Sequence, residues 1–548
     1  MRIFHSDPQR YWYFWAVALG IVLLRGLFIP VMDVDASQYA SISMEMLQNG
    51  NWLEVQHRHH DYLDKPPLLF WLSAISFWLF GQETWAYKLP SVLGALLGVW
   101  AVFGFCFRWY SREIARRAAF MLASSVGFLL LCNDVRTDTL LMGTTAAAVW
   151  QLSAFGQNNR KIHVIAAGFF IGLAMLAKGP LGLILPAVAV GAHLLMRGQW
   201  RGIFRWEWLL ALPVIAVLLL PMSYGLYHQF DLHPEKVING RTGVSGLYFF
   251  FWEQSFGRIT GENVWQNDTS GFYFLHVMAW AFLPWTLWLA GSLVRRFRNL
   301  WSPGQEYYSL GAFILVFIAL SQSRYKLPHY IFVLLPWASV LAAAYWERLQ
   351  SVKALAVINF GLTALTIAVA ALLPAYVFAT SSLGIWGPFV VLAGFGLYFT
   401  WPNRVQGRRF WGNLSTGILV GFTLNFHFYP ALMPYQSSST AGQWLREQGI
   451  RPGQVACMGR SGHALDFYAG HIVPYFDSAE KALEYRKAQE KLWIYVREGG
   501  KEQLDAAGVA YSPVLRLKHY QPALLKLDFL NPATRDSTLW EVEVVELR

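Results

Sequence analysis

The strongest constraint on this chain is a succession of apolar runs, most of them close to the roughly 20 residues a helix needs to cross a bilayer. Thirteen candidates lie near 11–31, 89–107, 118–133, 139–157, 163–177, 180–196, 207–226, 272–294, 308–321, 328–346, 354–376, 382–401 and 410–432. Backbone polar groups in hydrocarbon must be paired within the segment, so runs of this kind predict a mainly α, polytopic membrane protein. The composition agrees: 14% of residues are charged, against about a quarter in soluble chains.

Charge predicts the orientation. With the N-terminus inside, the short inner segments carry 19 Lys and Arg, among them Arg112, Arg116, Arg117, Arg295, Arg296 and Arg298, while the longer outer loops carry 10. That bias fits thirteen spans with a cytoplasmic N-terminus and an outer C-terminus. The net charge of +11 is thereby accounted for as topology. No basic stripe with interleaved aromatics suggests nucleic acid as a partner. The first run contains Arg25 and no small-x-small cleavage site, so it reads as a retained span whose arginine pairs with a buried acid.

Two outer loops are long, about 33–88 and 227–271. The first holds an apolar stretch at 68–81, too short to span and suited to the membrane interface. Residues 1–432 thus form a transmembrane domain, and 433–548 have the composition of a small soluble α/β domain. Within it, 442–449 and 501–507 read as helices, and 454–458, 492–496 and 540–547 as strands.

Ionisable residues at membrane depth are expensive and usually have a partner or a task. Here they collect at the outer ends of spans. Asp33, Asp35 and Tyr39 follow the first span; Asp64 and Lys65 precede Pro66-Pro67; Asn133-Asp134-Val135-Arg136-Thr137-Asp138 joins two spans in a short hairpin. Lys178 ends the fifth span, Arg258 lies in the second long loop, and Lys326 and Tyr330 begin the tenth. Cations with a tyrosine hydroxyl suit a phosphate, and carboxylates beside them suit a general base or an orienting group. Purely structural roles are also open: Asp33 as a solvated loop acid, Asp35 as a helix cap, Lys65 snorkelling to headgroups, Arg136 and Asp138 pairing with each other, Lys326 anchoring its helix. His57, His59, His60 and Asp61 are a local set of metal-ligand types without matching partners elsewhere, so no metal site is assigned. No P-loop or GxGxxG follows a strand.

The order Asp33, Asp35, Tyr39, then Asp64-Lys65-Pro66, Asp138, Lys178-Gly179 and Lys326-Leu327-Pro328-His329-Tyr330 resembles the bacterial membrane glycosyltransferases that use polyprenyl-phosphate sugars. The nearest members are the lipid A aminoarabinose transferases, within the superfamily that includes protein O-mannosyltransferases. The resemblance implies the type C glycosyltransferase fold, an undecaprenyl-phosphate sugar donor and inversion at the anomeric carbon. It implies Asp35 and Asp138 as the site acids, Lys65, Arg258 and Tyr330 at the donor phosphate, and Asp33, Tyr39, Asp64, Arg136, Lys178 and Lys326 around the cavity. The acceptor would be a lipid A-like lipid or another envelope glycan or protein, and the enzyme a monomer in contact with membrane lipids. No cofactor is called for, and a divalent cation beside the phosphate is left open. The family's Asp-Glu pair is Asp35-Ala36 here, its Glu before the lysine is Asp64, and the segment before Arg258 lacks its His. A transporter of lipid-linked sugars is the alternative; it predicts broken helices with midplane charges and a repeat between halves, neither of which the sequence shows.

Overall fold

The computed structural model describes residues 8–254, 257, 269–302, 304–349, 352–403, 407–459, 462–497 and 499–548. Five of its helical segments are long and apolar enough to cross a membrane: Thr84–Trp109, Trp200–Asp231, Pro328–Trp346, Lys353–Val377 and Leu383–Thr400. Two bent pairs add to these. Arg112–Ala123 and Val126–Asn133 meet at 56°, and Tyr273–Ala281 and Thr286–Arg298 at 119°. The apolar run at 272–294 is therefore not straight. Pro284, which has no N–H to continue the ladder, stands at the break. Tyr11–Leu27, Leu68–Phe80, Ile162–Lys178, Leu181–Met196 and Tyr308–Gln322 are shorter apolar helices.

Lipid tails are as apolar as leucine, so helices in a bilayer associate through close packing and polar contacts. Both occur here. Gly143 crosses Gly94 so closely that an added Cβ would fall 1.9 Å from the Gly94 carbonyl oxygen. Asn133 donates to Asn425 at 2.7 Å, Asn425 donates to the Val22 carbonyl at 2.8 Å, and the Lys88 ammonium donates to the carbonyls of Gly26 and Asn133. Trp285, Trp288, Trp337 and Trp346 are fully buried. Arg25 sits over the ring of Phe426, 6.0 Å from its centroid, and among the described residues no ion pair joins it to the buried acid expected for it.

The first outer loop folds as helix Asp35–Asn49, a hairpin of strands β1 (Gln56–His57) and β2 (His60–Asp61), and helix Leu68–Phe80. Beyond helix Ser437–Glu447, five strands form one sheet: β3 (Val455–Met458), β4 (Tyr475–Phe476), β5 (Leu492–Val496), β6 (Tyr511–His519) and β7 (Trp540–Leu547), in the order β4-β3-β5-β7-β6. β3 runs parallel to β4 and β5; β7 is antiparallel to β5 and β6. β6 is an addition to the sequence reading. It carries Pro513, a register irregularity, and outward Arg516 and Lys518, all of which suit an edge strand and hide it from a hydrophobic pattern.

Candidate functional site

Asp35 is the first residue of its helix, one position inside the cap expected of it; Val34 occupies the cap. There its carboxylate complements the N-terminal end of the helix dipole. Arg136 comes from the hairpin before helix Thr137–Asn158 and donates from Nη1 to Asp35 at 2.5 Å and from Nε to Asp134 at 2.6 Å. The two carboxylates hold the guanidinium above its ordinary range, outweighing the cost of burying it. Arg136 and Asp138 thus do not pair with each other. Two residues on, Asp138 accepts a hydrogen bond and ion pair from Lys178, and the His329 ring lies 3.9 Å from its other oxygen. One short hairpin therefore joins the first loop, the end of helix Ile162–Lys178 and the segment that begins at Pro328.

Lys178 also lies over the Tyr330 ring, 4.1 Å from its centroid. Lys65 pairs with Asp64 at 2.7 Å, beside an apolar groove lined by Pro67, Met222, Leu226, Phe249 and Phe250. Tyr39 and Tyr62 connect these parts. Burial raises both hydroxyls well above the usual tyrosine range; nearby Asp35 and Asp64 raise them further, so both remain protonated. The result is an arc of ion pairs: Lys65 with Asp64, then Asp35 with Arg136, then Asp138 with Lys178.

Two further expected site residues have other partners, and a third is not among the described residues. Arg258 lies outside the described residues. Lys326 is buried and donates to the Thr269 carbonyl at 3.1 Å, which ties it to the second outer loop. Asp33 is neither a solvated loop acid nor part of the arc. It is 6% exposed and accepts from Ser37 Oγ, from Ser438 Oγ at 2.8 Å and from the Ala464 backbone at 2.9 Å. Its direction follows from its place in the first turn after the span, where the C-terminal segment covers it. Residues that the sequence reading did not single out are Tyr62, Asp134 and His329; the last two stood inside the quoted hairpin and tenth-span motifs, and that placement was the available signal.

The residue set of metal-ligand types disperses. His57 packs edge-on against His463, with ring centroids 4.7 Å apart, His59 pairs with Glu45, and Asp61 pairs with Lys236. Among the described residues no three His, Cys, Asp or Glu side chains gather where they could hold a metal ion.

Residues 64–225 match the family described as dolichyl-phosphate-mannose-protein mannosyltransferase. An undecaprenyl phosphate-alpha-4-amino-4-deoxy-L-arabinose arabinosyl transferase from Pseudomonas paraeruginosa is 27% identical over 378 residues, covering 67% of this chain and 65% of that protein. Its counterpart from Pseudomonas aeruginosa strain UCBPP-PA14 is 28% identical, over 66% of this chain and 64% of its own length. Both relatives are matched over just under two thirds of their length. The crystal structure of ArnT from Cupriavidus metallidurans bound to undecaprenyl phosphate superimposes with a TM-score of 0.75 over 98% of each chain, at 19% identity. The chain has the fold of that transferase, and the likeness to polyprenyl-phosphate-sugar transferases suggested by its motifs holds in sequence as well as in fold.

Proposed function

We propose that this protein is an inverting membrane glycosyltransferase that moves a sugar from a polyprenyl phosphate, undecaprenyl phosphate in particular, to an acceptor on the outer face of the bacterial inner membrane. The observation that carries this reading is the arc in which Asp35, Arg136, Asp138 and Lys178 are paired through one hairpin beside Lys65 and its apolar groove. Lys65 suits the phosphate, with Arg258 and Tyr330 as further donors to it. The similarity to aminoarabinose transferases supports the donor class.

In the proposed reaction an oxygen of the acceptor attacks C1 of the sugar from the face opposite the phosphate. The bond from C1 to the phosphate oxygen breaks, its electron pair leaves with the polyprenyl phosphate, and the configuration at C1 inverts. Fixed cations stabilise the charge that gathers on the leaving phosphate. Asp35 removes the proton where the acceptor is a hydroxyl; where the acceptor is an anionic phosphate, Asp35 orients it or balances positive charge on the sugar ring. Arg136 holds Asp35 in place, and Lys178 holds both Asp138 and the Tyr330 ring. Thirteen spans, a cytoplasmic N-terminus and a periplasmic domain at 433–548 belong to the same reading, as does action as a monomer.

Incubating the purified protein with a labelled polyprenyl-phosphate sugar and bacterial envelope lipids tests this. Released polyprenyl phosphate with a labelled acceptor of inverted configuration supports it. Movement of intact donor across vesicles without bond cleavage would show a transporter instead.

A further inference from the structure

Two neighbours near the start of helix Thr84–Trp109 reach the two stretches of backbone that carry the ion pair between Asp35 and Arg136. Tyr87 is fully buried and donates its hydroxyl to the Ala36 carbonyl at 2.6 Å, one residue beyond Asp35. Lys88 is 1% exposed and donates to the Asn133 carbonyl at 2.9 Å, three residues before Arg136. Its second bond, to the Gly26 carbonyl at 3.2 Å, holds the end of helix Pro8–Leu27, from which the chain runs on to Asp35. Among the described residues neither side chain bonds to a charged group of the arc. Both act on backbone.

The last carbonyls of a helix have no amide partner within it and carry the negative end of its dipole. Gly26 stands in the last turn of helix Pro8–Leu27 and Asn133 ends helix Val126–Asn133, so the Lys88 ammonium closes two helix ends at once. The ends meet tightly: a Cβ on Gly26 would fall 2.5 Å from Asn133 Oδ1, and Asn133 is tied in turn to Asn425 at 2.7 Å. Stability alone does not call for a lysine here. Among the described residues no carboxylate forms an ion pair with it. A buried charge without such a partner costs more than an apolar side chain of the same length. What the ammonium adds is direction, because its bonds hold Gly26 and Asn133 in one register beneath the ion pair. Tyr87, the next residue along, fixes the other side of that pair through Ala36.

We propose that Tyr87 and Lys88 are positioning residues for the transfer step: from one helix they clamp the backbone at Ala36 and at Asn133, and so set the Asp35 carboxylate against Arg136. This assignment rests on the transferase reading, which it extends to two residues that act on the site acid through the chain that carries it.

The test uses the full-length protein in nanodiscs with a polyprenyl-phosphate sugar and bacterial envelope lipids. Lys88→Met should lower kcat about tenfold, and Tyr87→Phe, which removes one hydroxyl only, about threefold, each with KM for the donor within about twofold of wild type. Lys88→Arg, which keeps the charge and several N–H donors, should recover most of the loss. In an Arg136→Lys background Lys88→Met should cost much less than in wild type, since both changes act by releasing Asp35. Amide hydrogen exchange at 133–138 should quicken in Lys88→Met while the distant span 383–400 keeps its protection. Unchanged kcat in folded Lys88→Met, a change in KM alone, full additivity with Arg136→Lys, or unchanged exchange at 133–138 each overturns the proposal. If the wild type transfers no sugar, faster exchange at 133–138 in Lys88→Met would leave the clamp standing and refute the transferase reading.

Discussion

Arg136 reaches across from the hairpin between two membrane helices and closes an ion pair of 2.5 Å with Asp35, a residue 101 positions earlier in the chain. This contact fixes the acid of the first outer loop to the membrane body. Arginine suits the task because its planar fork serves Asp35 and Asp134 together, which a lysine ammonium does less well. Arg136→Lys should therefore keep the charge but loosen Asp35, lowering the turnover number by about tenfold or more with little change in donor binding. Steady-state kinetics with the donor varied checks this; an unchanged turnover number would remove Arg136 from the site.

Asp138 and Lys178 are 4% and 12% exposed at their side chains. Removing one partner of a buried pair leaves the other charge uncompensated, at a cost of about 3–5 kcal/mol. Lys178→Ala should lower thermal stability in detergent accordingly, and also release the Tyr330 ring that it faces. Lys178→Ala combined with Asp138→Ala should cost less than the sum of the single changes. A double variant showing full additivity would mean that the two residues do not interact.

Gly462 lies against Asp33 so closely that a Cβ there would fall 1.9 Å from the carboxylate. Gly462→Ala should thus separate the first outer loop from the C-terminal segment and expose the chain near 460 to proteases, without altering the hairpin at 134–138. Limited proteolysis of the variant, compared with wild type, reports it.

The legibility of the sequence followed the physics of each part. The long apolar runs and the sidedness of charge are properties of single segments, so the helices at 84–109, 353–377 and 383–400 could be read directly. Asp35, Asp64, Lys65, Asp138 and Lys178 stood out because membrane-level charge is rare. Their pairings could not be read, since Arg136 had a near neighbour in Asp138 and found its partners in Asp134 and distant Asp35. Asp33 was misplaced for a similar reason: its three donors include Ser438 and Ala464, from a segment some 400 residues away. The edge strand at 511–519 was hidden because one of its faces meets water and carries charge.

His57 and His463, in contact between the first loop and the C-terminal segment, titrate low. Burial comes first for both; neighbouring Arg58 and His60 add to it for His57, and His57 and Arg58 for His463. The values fall to about 4 and about 3, from an unfolded value near 6.5. Only the unfolded chain takes up these protons as the pH drops, so the stabilisation is complete above about pH 6.5 and is lost as the pH falls toward 4 and 3. His57→Gln should flatten the fall in melting temperature between pH 6.5 and 4. An identical slope in variant and wild type would contradict the assignment.

The central claim is that the arc around Asp35 and Lys65 is where the sugar leaves its phosphate. Its most direct test is the single-turnover release of polyprenyl phosphate from a labelled donor, in nanodiscs that also hold bacterial envelope lipids as acceptor, by wild type, Asp35→Asn and Lys65→Ala. Release by wild type, with a loss of at least about 100-fold in each folded variant, is the predicted result. Release at the wild-type rate by both variants would contradict the account.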